Sequence, residues 1–241
     1  MHNLQANEIS HGVLVQPSFL GVDNSYLVAS LRQYPNRFRG IAVVDPEISG
    51  EQLDRLQEAG VVGIRLNLID LPGPDFGSTA WKALLSQVRL RDWQIEVHRA
   101  AGELQPVLEP LMAAGVKVVL DHFGRPDESL GVDDPGFRYL LSLGDTRRVW
   151  VKLSASYRNG SAGRGETTAT AAVSLLRTSF GLDRLVWGSD WPHTLFEESV
   201  SYTTQRLLLE RWFPNAADRQ VVLLETPARL FSFGDIRAGV K

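Results

Sequence analysis

The sequence predicts an α/β protein built on a parallel sheet, and three observations predict it. Seven short apolar segments alternate with stretches of helical pattern between Gly12 and Gly188, and such alternation marks βαβ units whose strands are covered on both faces. The 241 residues, 44% of them hydrophobic, can fill a large core, and this length is close to the roughly 250 residues typical of a (β/α)8 barrel. No composition break, linker or internal repeat divides the chain, so a single domain over residues 1–241 is expected. Seven strands are one short of a closed barrel, and few residues precede the first of them. The expectation is therefore a (β/α)8 TIM-type barrel, N-terminally truncated by about one strand, with the missing strand upstream of Met1.

In order, Gly12–Pro17 reads as the first strand, followed by a helix opened by Asp23 or Asn24 and ended near Tyr34-Pro35. Arg39–Asp45 is the second strand. Ser49-Gly-Glu-Gln52 matches a capping box, in which a hydroxyl and an amide each satisfy a backbone N–H, and Leu53, Leu56 and Ala59 share one face of the helix that Gly60 stops. Val62–Leu68 is the third strand, and a Pro/Gly-rich loop from Leu71 to Gly77 leads to a helix from about Ser78. Trp93–His98 is the fourth strand, and a helix from about Glu103 to Ala114 follows and ends at Gly115. Lys117–His122, Val149–Ser154 and Leu185–Gly188 are the fifth, sixth and seventh strands. The small residues of Asn159–Thr170 read as a flexible connection after the sixth strand.

Composition narrows the function classes. The net charge of -3 and the absence of basic runs speak against a nucleic-acid partner. No apolar run approaches the roughly 18 residues of a membrane span, and the first residues lack the basic and apolar regions of a secretory signal, so a cytoplasmic protein with no membrane partner is expected. With zero cysteines, disulfides and thiolate chemistry are excluded, and any metal would be held by His and carboxylates.

The candidate chemistry collects at strand ends, where parallel barrels build their sites. Leu185-Val-Trp-Gly188 runs into Ser189-Asp190-Trp-Pro-His193, so Asp190 is the foremost candidate, with helix capping as the competing role. Of the five histidines, His98 and His122 end consecutive strand patterns and His193 follows the last. Two imidazoles with the Asp190 carboxylate would make a divalent-metal site with an open position for water, or an acid/base pair. Arg65 lies within the third strand, and Arg99, Arg125 and Arg158 follow strand ends. Guanidinium groups there suit bidentate capture of carboxylates, although Arg65 could instead be paired structurally with Glu96 or Asp45, and Arg99 and Arg125 read as more peripheral.

Asp121-His-Phe-Gly-Arg-Pro126, Val151-Lys-Leu-Ser154 with Tyr157-Arg158, and above all Val186-Trp-Gly-Ser-Asp-Trp-Pro-His193 resemble the amidohydrolase-related metal-dependent hydrolases of the 2-pyrone-4,6-dicarboxylate lactonase type. Gly12–Ser25 and Arg37–Asp45 are similar to that group too, so the resemblance covers nearly the whole chain. It implies a (β/α)8 barrel that hydrolyses lactones or related esters. Asp190 and His122 would be catalytic; Arg65, Arg158, Tyr157 and His193 would bind a small carboxylate substrate. The sequence departs from the family pattern in having no His-x-His pair. With only His98, His122 and Asp190 as metal ligands, a divalent ion such as zinc is expected to be weakly held or absent. Two alternatives stand beside the hydrolase: a metal-dependent decarboxylase of the same superfamily, and a catalytically impaired barrel that only binds a carboxylate ligand. A homo-oligomer would cover the open sheet edge left by a missing strand.

Overall fold

The computed structural model describes residues 2–234. Seven strands form one sheet in the order of the sequence: β1 (Gly12–Val15), β2 (Phe38–Ala42), β3 (Val61–Asn67), β4 (Gln94–His98), β5 (Lys117–Leu120), β6 (Val149–Leu153) and β7 (Leu185–Trp187). Every strand expected from the sequence is present; six end one to three residues earlier than expected, and β4 keeps His98 but starts one residue later. The helices are α1 (His2–Ala6), α2 (Ser25–Gln33), α3 (Gly50–Glu58), α4 (Thr79–Leu90), α5 (Gln105–Ala113), α6 (Pro135–Ser142), α7 (Arg164–Phe180), α8 (Tyr202–Trp212), α9 (Ala216–Gln220) and α10 (Thr226–Leu230). None is long and apolar enough to cross a membrane. The described residues divide into two compact units, one holding Ser10–His98 and Gln105–Val119, the other holding residues 2–9, Arg99–Leu104 and residues 120–234.

In the first of these units β1, β2, β3 and β4 pair in parallel, with Ile41 beside Gly63 and Arg65 beside Glu96. Leu31, Ile41, Leu53, Ile64, Val88 and Ile95 are almost wholly buried between strands and helices, each contributing about 1.5–3 kcal/mol by leaving water. The capping box forms as the spacing predicts, Ser49 accepting from Gln52 N–H and Gln52 accepting from Ser49 N–H. At α2 the two candidates divide the work. Asp23 accepts from the Ser25 N–H, while Asn24, at the cap position, spends its side chain on both backbone groups of Val43.

In the other unit β6 and β7 pair in parallel, Val151 beside Leu185 and Leu153 beside Trp187. Phe123, Phe137, Leu140, Leu153, Leu176 and Phe213 fill its core. One expectation is corrected here: the segment read as a flexible connection is helical from Arg164. Its small residues serve packing rather than mobility. Gly165, Thr168, Ala169, Ala172, Val173 and Leu176 form one buried stripe at helical spacing. A Cβ on Gly165 would stand 2.3 Å from the Ser156 carbonyl oxygen, so α7 lies directly against the turn that carries Tyr157 and Arg158.

Candidate active site

Asp190 is the centre of a dense polar cluster within the unit that follows Leu120. β7 ends at Trp187, Gly188 leaves room for the stem of Lys152, and Asp190 follows in a left-handed conformation at φ 57. Its Oδ2 accepts from the Tyr157 hydroxyl at 2.5 Å and from Arg158 Nε at 2.7 Å. Its Oδ1 faces His122 Nε2 at 3.7 Å. Tyr157 and Arg158 stand on a short helical turn, Ser156–Asn159, directly after β6. Arg158 also donates to the Thr194 carbonyl, and Arg125, read from the sequence as peripheral, donates to the Arg158 carbonyl. A guanidinium gripped at both ends presents a fixed charge to Asp190.

His122 begins the turn after β5, where His122, Phe123 and Arg125 all have positive φ. Its Nδ1 lies 2.8 Å from Ser154 Oγ, both residues being buried. Burial pushes the imidazole down to about 4, against the opposing pulls of Asp121 and Asp190, so it is neutral at pH 7. Asp121, the buried residue before His122, pairs with the half-buried Lys152 at 2.7 Å. Burial alone would raise Asp190, but His122, the Tyr157 hydroxyl and Arg158 outweigh it and hold the carboxyl below its ordinary value. Tyr157 moves the other way, raised by burial and by Asp190, so its phenol keeps its proton.

His193 closes the cluster. Its N–H donates to the Asp190 carbonyl at 2.7 Å, its carbonyl accepts from Phe196 N–H, and its Nδ1 is 3.2 Å from Tyr157 Oη. The Phe196 ring packs on Tyr157 with centroids 4.8 Å apart. Thus Asp190, His122, Tyr157, Arg158 and His193, all candidates from the sequence, come together. Ser154 was missed, since a serine ending a strand carries no distinguishing spacing.

Arg65 and His98 lie in the other unit, on β3 and β4, and form a second polar group with different neighbours. Arg65 Nε stands 3.7 Å from Glu96 Oε1, and its terminal nitrogens are 3.1 Å from Ser18 Oγ and 3.5 Å from His98 Nδ1. Asn67 donates to the same Ser18 oxygen at 2.6 Å. Glu96 is buried, and its contact with Arg65 is the structural pairing weighed from the sequence.

His122 Nε2 and Asp190 Oδ1 are separated by a distance too long for a hydrogen bond. Two donors that each sit about 2.0–2.2 Å from one zinc ion stand at comparable separation, and both can point a lone pair at the gap, so these two residues fit a divalent ion as a pair of ligands.

The family model described as Amidohydrolase matches residues 2–233. The chain is 30% identical over 231 residues to the 4-sulfomuconolactone hydrolase of Rhizobium radiobacter, covering 92% of this chain and 76% of that protein. Among solved structures, it superposes with a TM-score of 0.92 on a candidate 2-pyrone-4,6-dicarboxylic acid hydrolase from Pseudomonas putida, at 39% identity over 97% of this chain and 86% of that one. The TM-score is also 0.92 against a probable 2-pyrone-4,6-dicarboxylic acid hydrolase from Acinetobacter baumannii with citric acid bound, at 35% identity over 96% of this chain and 86% of that one.

Proposed function

The chain belongs to the amidohydrolase family, and from that premise we propose that it hydrolyses small carboxylate-bearing lactones, with Asp190 as the base that activates water. One observation carries this reading: a carboxylate held ionised by a phenol and a guanidinium, with a buried neutral imidazole opposite. Asp190 takes a proton from water as the water oxygen bonds to the lactone carbonyl carbon. The ring C–O bond then breaks, and the departing oxygen recovers the proton from Asp190 to become the hydroxyl of the opened product. His122, protonated at Nε2, donates to the developing oxyanion, a contribution worth about 10²–10³ in rate. Ser154 can donate to or accept from Nδ1, so it orients the ring in either neutral tautomer.

A divalent ion, held by His122 and Asp190, would supply Lewis-acid polarisation of the carbonyl. We propose that any such ion is weakly held, because Asp190 Oδ2 is already committed to Tyr157 and Arg158. Arg65 is the proposed partner of the substrate carboxylate, a role its bidentate geometry suits. The architecture we propose for the seven parallel strands is a (β/α)8 barrel with these groups at the C-terminal ends of its strands. The relatives' substrates set the assay. The chain is incubated with 2-pyrone-4,6-dicarboxylate and with 4-sulfomuconolactone, with and without added zinc, while ring absorbance and acid release are followed. Ring opening with stoichiometric acid release is expected. Carbon dioxide release with an intact ring would replace the proposal by a decarboxylase, and binding without consumption would leave a carboxylate-binding protein.

A further inference from the structure

The proposed base stands at one end of a chain of three groups whose hydrogen-bond direction follows from counting protons. Tyr157 Oη lies 2.5 Å from Asp190 Oδ2 and 3.2 Å from His193 Nδ1. A phenol has one proton to give and a carboxylate has none, so across the shorter contact Tyr157 donates to Asp190. The same oxygen then turns only lone pairs toward His193, and a hydrogen bond there requires the proton to be on Nδ1. In the opposite tautomer Nδ1 and Oη would direct lone pairs at each other. Nε2 does not reverse the choice. It is sealed from solvent with no hydrogen-bond partner among the described residues, so it is unsatisfied in both tautomers, and only one of them adds the clash at Nδ1.

We infer that His193 is held as the Nδ1–H tautomer, donating to Tyr157, which donates to Asp190, so that His193 positions Tyr157 and Tyr157 positions the base. The backbone leaves the imidazole little choice of place. Two successive turns, His193 N–H to the Asp190 carbonyl at 2.7 Å and Phe196 N–H to the His193 carbonyl at 2.6 Å, fix the ring edge-on to Tyr157 with centroids 6.1 Å apart. The Phe196 ring covers Tyr157 on another side, and Arg158 stacks over both aromatic rings. The phenol can therefore satisfy Asp190 and His193 at once, and only in this order. The inference deepens the reading of Asp190 as the base and rests on it for its kinetic consequence, though the tautomer itself does not.

The direct test is ¹⁵N NMR of the whole chain labelled at histidine, at neutral pH with chelator present, using His193→Asn to identify the His193 signals. A protonated Nδ1 and a bare Nε2 are expected. The reverse pattern, or protons on both nitrogens, overturns the inference. Kinetics with 2-pyrone-4,6-dicarboxylate supply a second arm. Tyr157→Phe should lower kcat by roughly ten-fold to a hundred-fold, the loss of one charge-assisted hydrogen bond, while KM stays within about two-fold. His193→Asn, whose amide N–H can stand where Nδ1–H stood, should recover part of the kcat lost in His193→Leu. Equal losses in those two variants, with both folded by circular dichroism, also overturn it. Undiminished turnover by Asp190→Asn would instead sink the base assignment and leave the NMR result to be judged alone.

Discussion

The two polar groups of this protein, one around Asp190 and one around Arg65, are built to opposite rules. Asp190 is an anion held at 2.5 and 2.7 Å by a phenol and a guanidinium that are themselves tied down. Arg65 is a cation whose contacts with Ser18, His98 and Glu96 stretch from 3.1 to 3.7 Å. A reacting group gains from being fixed before substrate arrives, because reorganisation then costs nothing at the transition state. A ligand-binding group gains instead from a charge that can form a bidentate pair with a carboxylate. On the proposed reading the first group does the chemistry and the second the recognition, and separating turnover from affinity tests that division.

The largest expected effect is on the Asp190 side. Asp190→Asn should lower kcat by about 10²–10⁴ while calorimetric affinity for 2-pyrone-4,6-dicarboxylate changes little; a comparable loss of affinity would erase the distinction. Arg65→Met should do the reverse. Removing one charge-assisted partner weakens binding by roughly ten-fold to a hundred-fold, with a smaller change in kcat. Unaltered affinity would reduce Arg65 to the structural partner of Glu96.

A subtler way to sharpen the contrast is to disturb the scaffold under one group only. Gly165→Ala places a methyl 2.3 Å from the Ser156 carbonyl, and such overpacking costs about 1–3 kcal/mol. Chemical denaturation should register that loss, and kcat should fall with it because the displaced turn carries Tyr157 and Arg158. Intact kcat in a destabilised variant would mean the turn yields without moving them.

The smallest effect belongs to Glu128, which joins Ser161 and Arg164 at the start of α7. Hydrogen bonds from Ser161 and then Arg164 lower its carboxyl to about 2 from 4.5. A carboxyl depressed on folding stabilises the protein above its unfolded value and loses that contribution as pH falls through the folded one. Glu128→Gln should therefore be slightly less stable than the parent at pH 7, with the gap closing between pH 4.5 and 2; urea midpoints at several pH values would show it. A gap that persists at the acid end would make the effect one of packing rather than charge.

The strands and caps were legible because they rest on local patterns: apolar runs stopped by polar residues, and hydroxyl–amide spacing at Ser49 and Gln52. Asp190 and its neighbours were legible because Trp187–His193 is a compact motif at a strand end. What the sequence hid was partnership across long separations. Nothing local says that Arg158 would grip Asp190, 32 positions away, or that Ser154 would hold the His122 ring. The start of α7 was misread because glycine and threonine lower helix propensity, whereas tertiary packing selected those small residues for a tight contact.

The left-handed backbone at His122, Asp190 and His193, with φ of 51, 57 and 63, restricts what substitution can explore there. Asp, Asn and His are the non-glycine residues that enter this region most readily, while β-branched and bulky side chains are outliers in it. The main chain therefore screens the alphabet at three site positions before any chemistry is asked of them. A library randomised at residue 190 should return folded protein mainly with Asp, Asn, His and Gly, of which only Asp carries a carboxylate. Drift at this position is confined by conformation to a few neighbours: Asn and Gly silence the base, and His is the one substitute that offers a base of another kind.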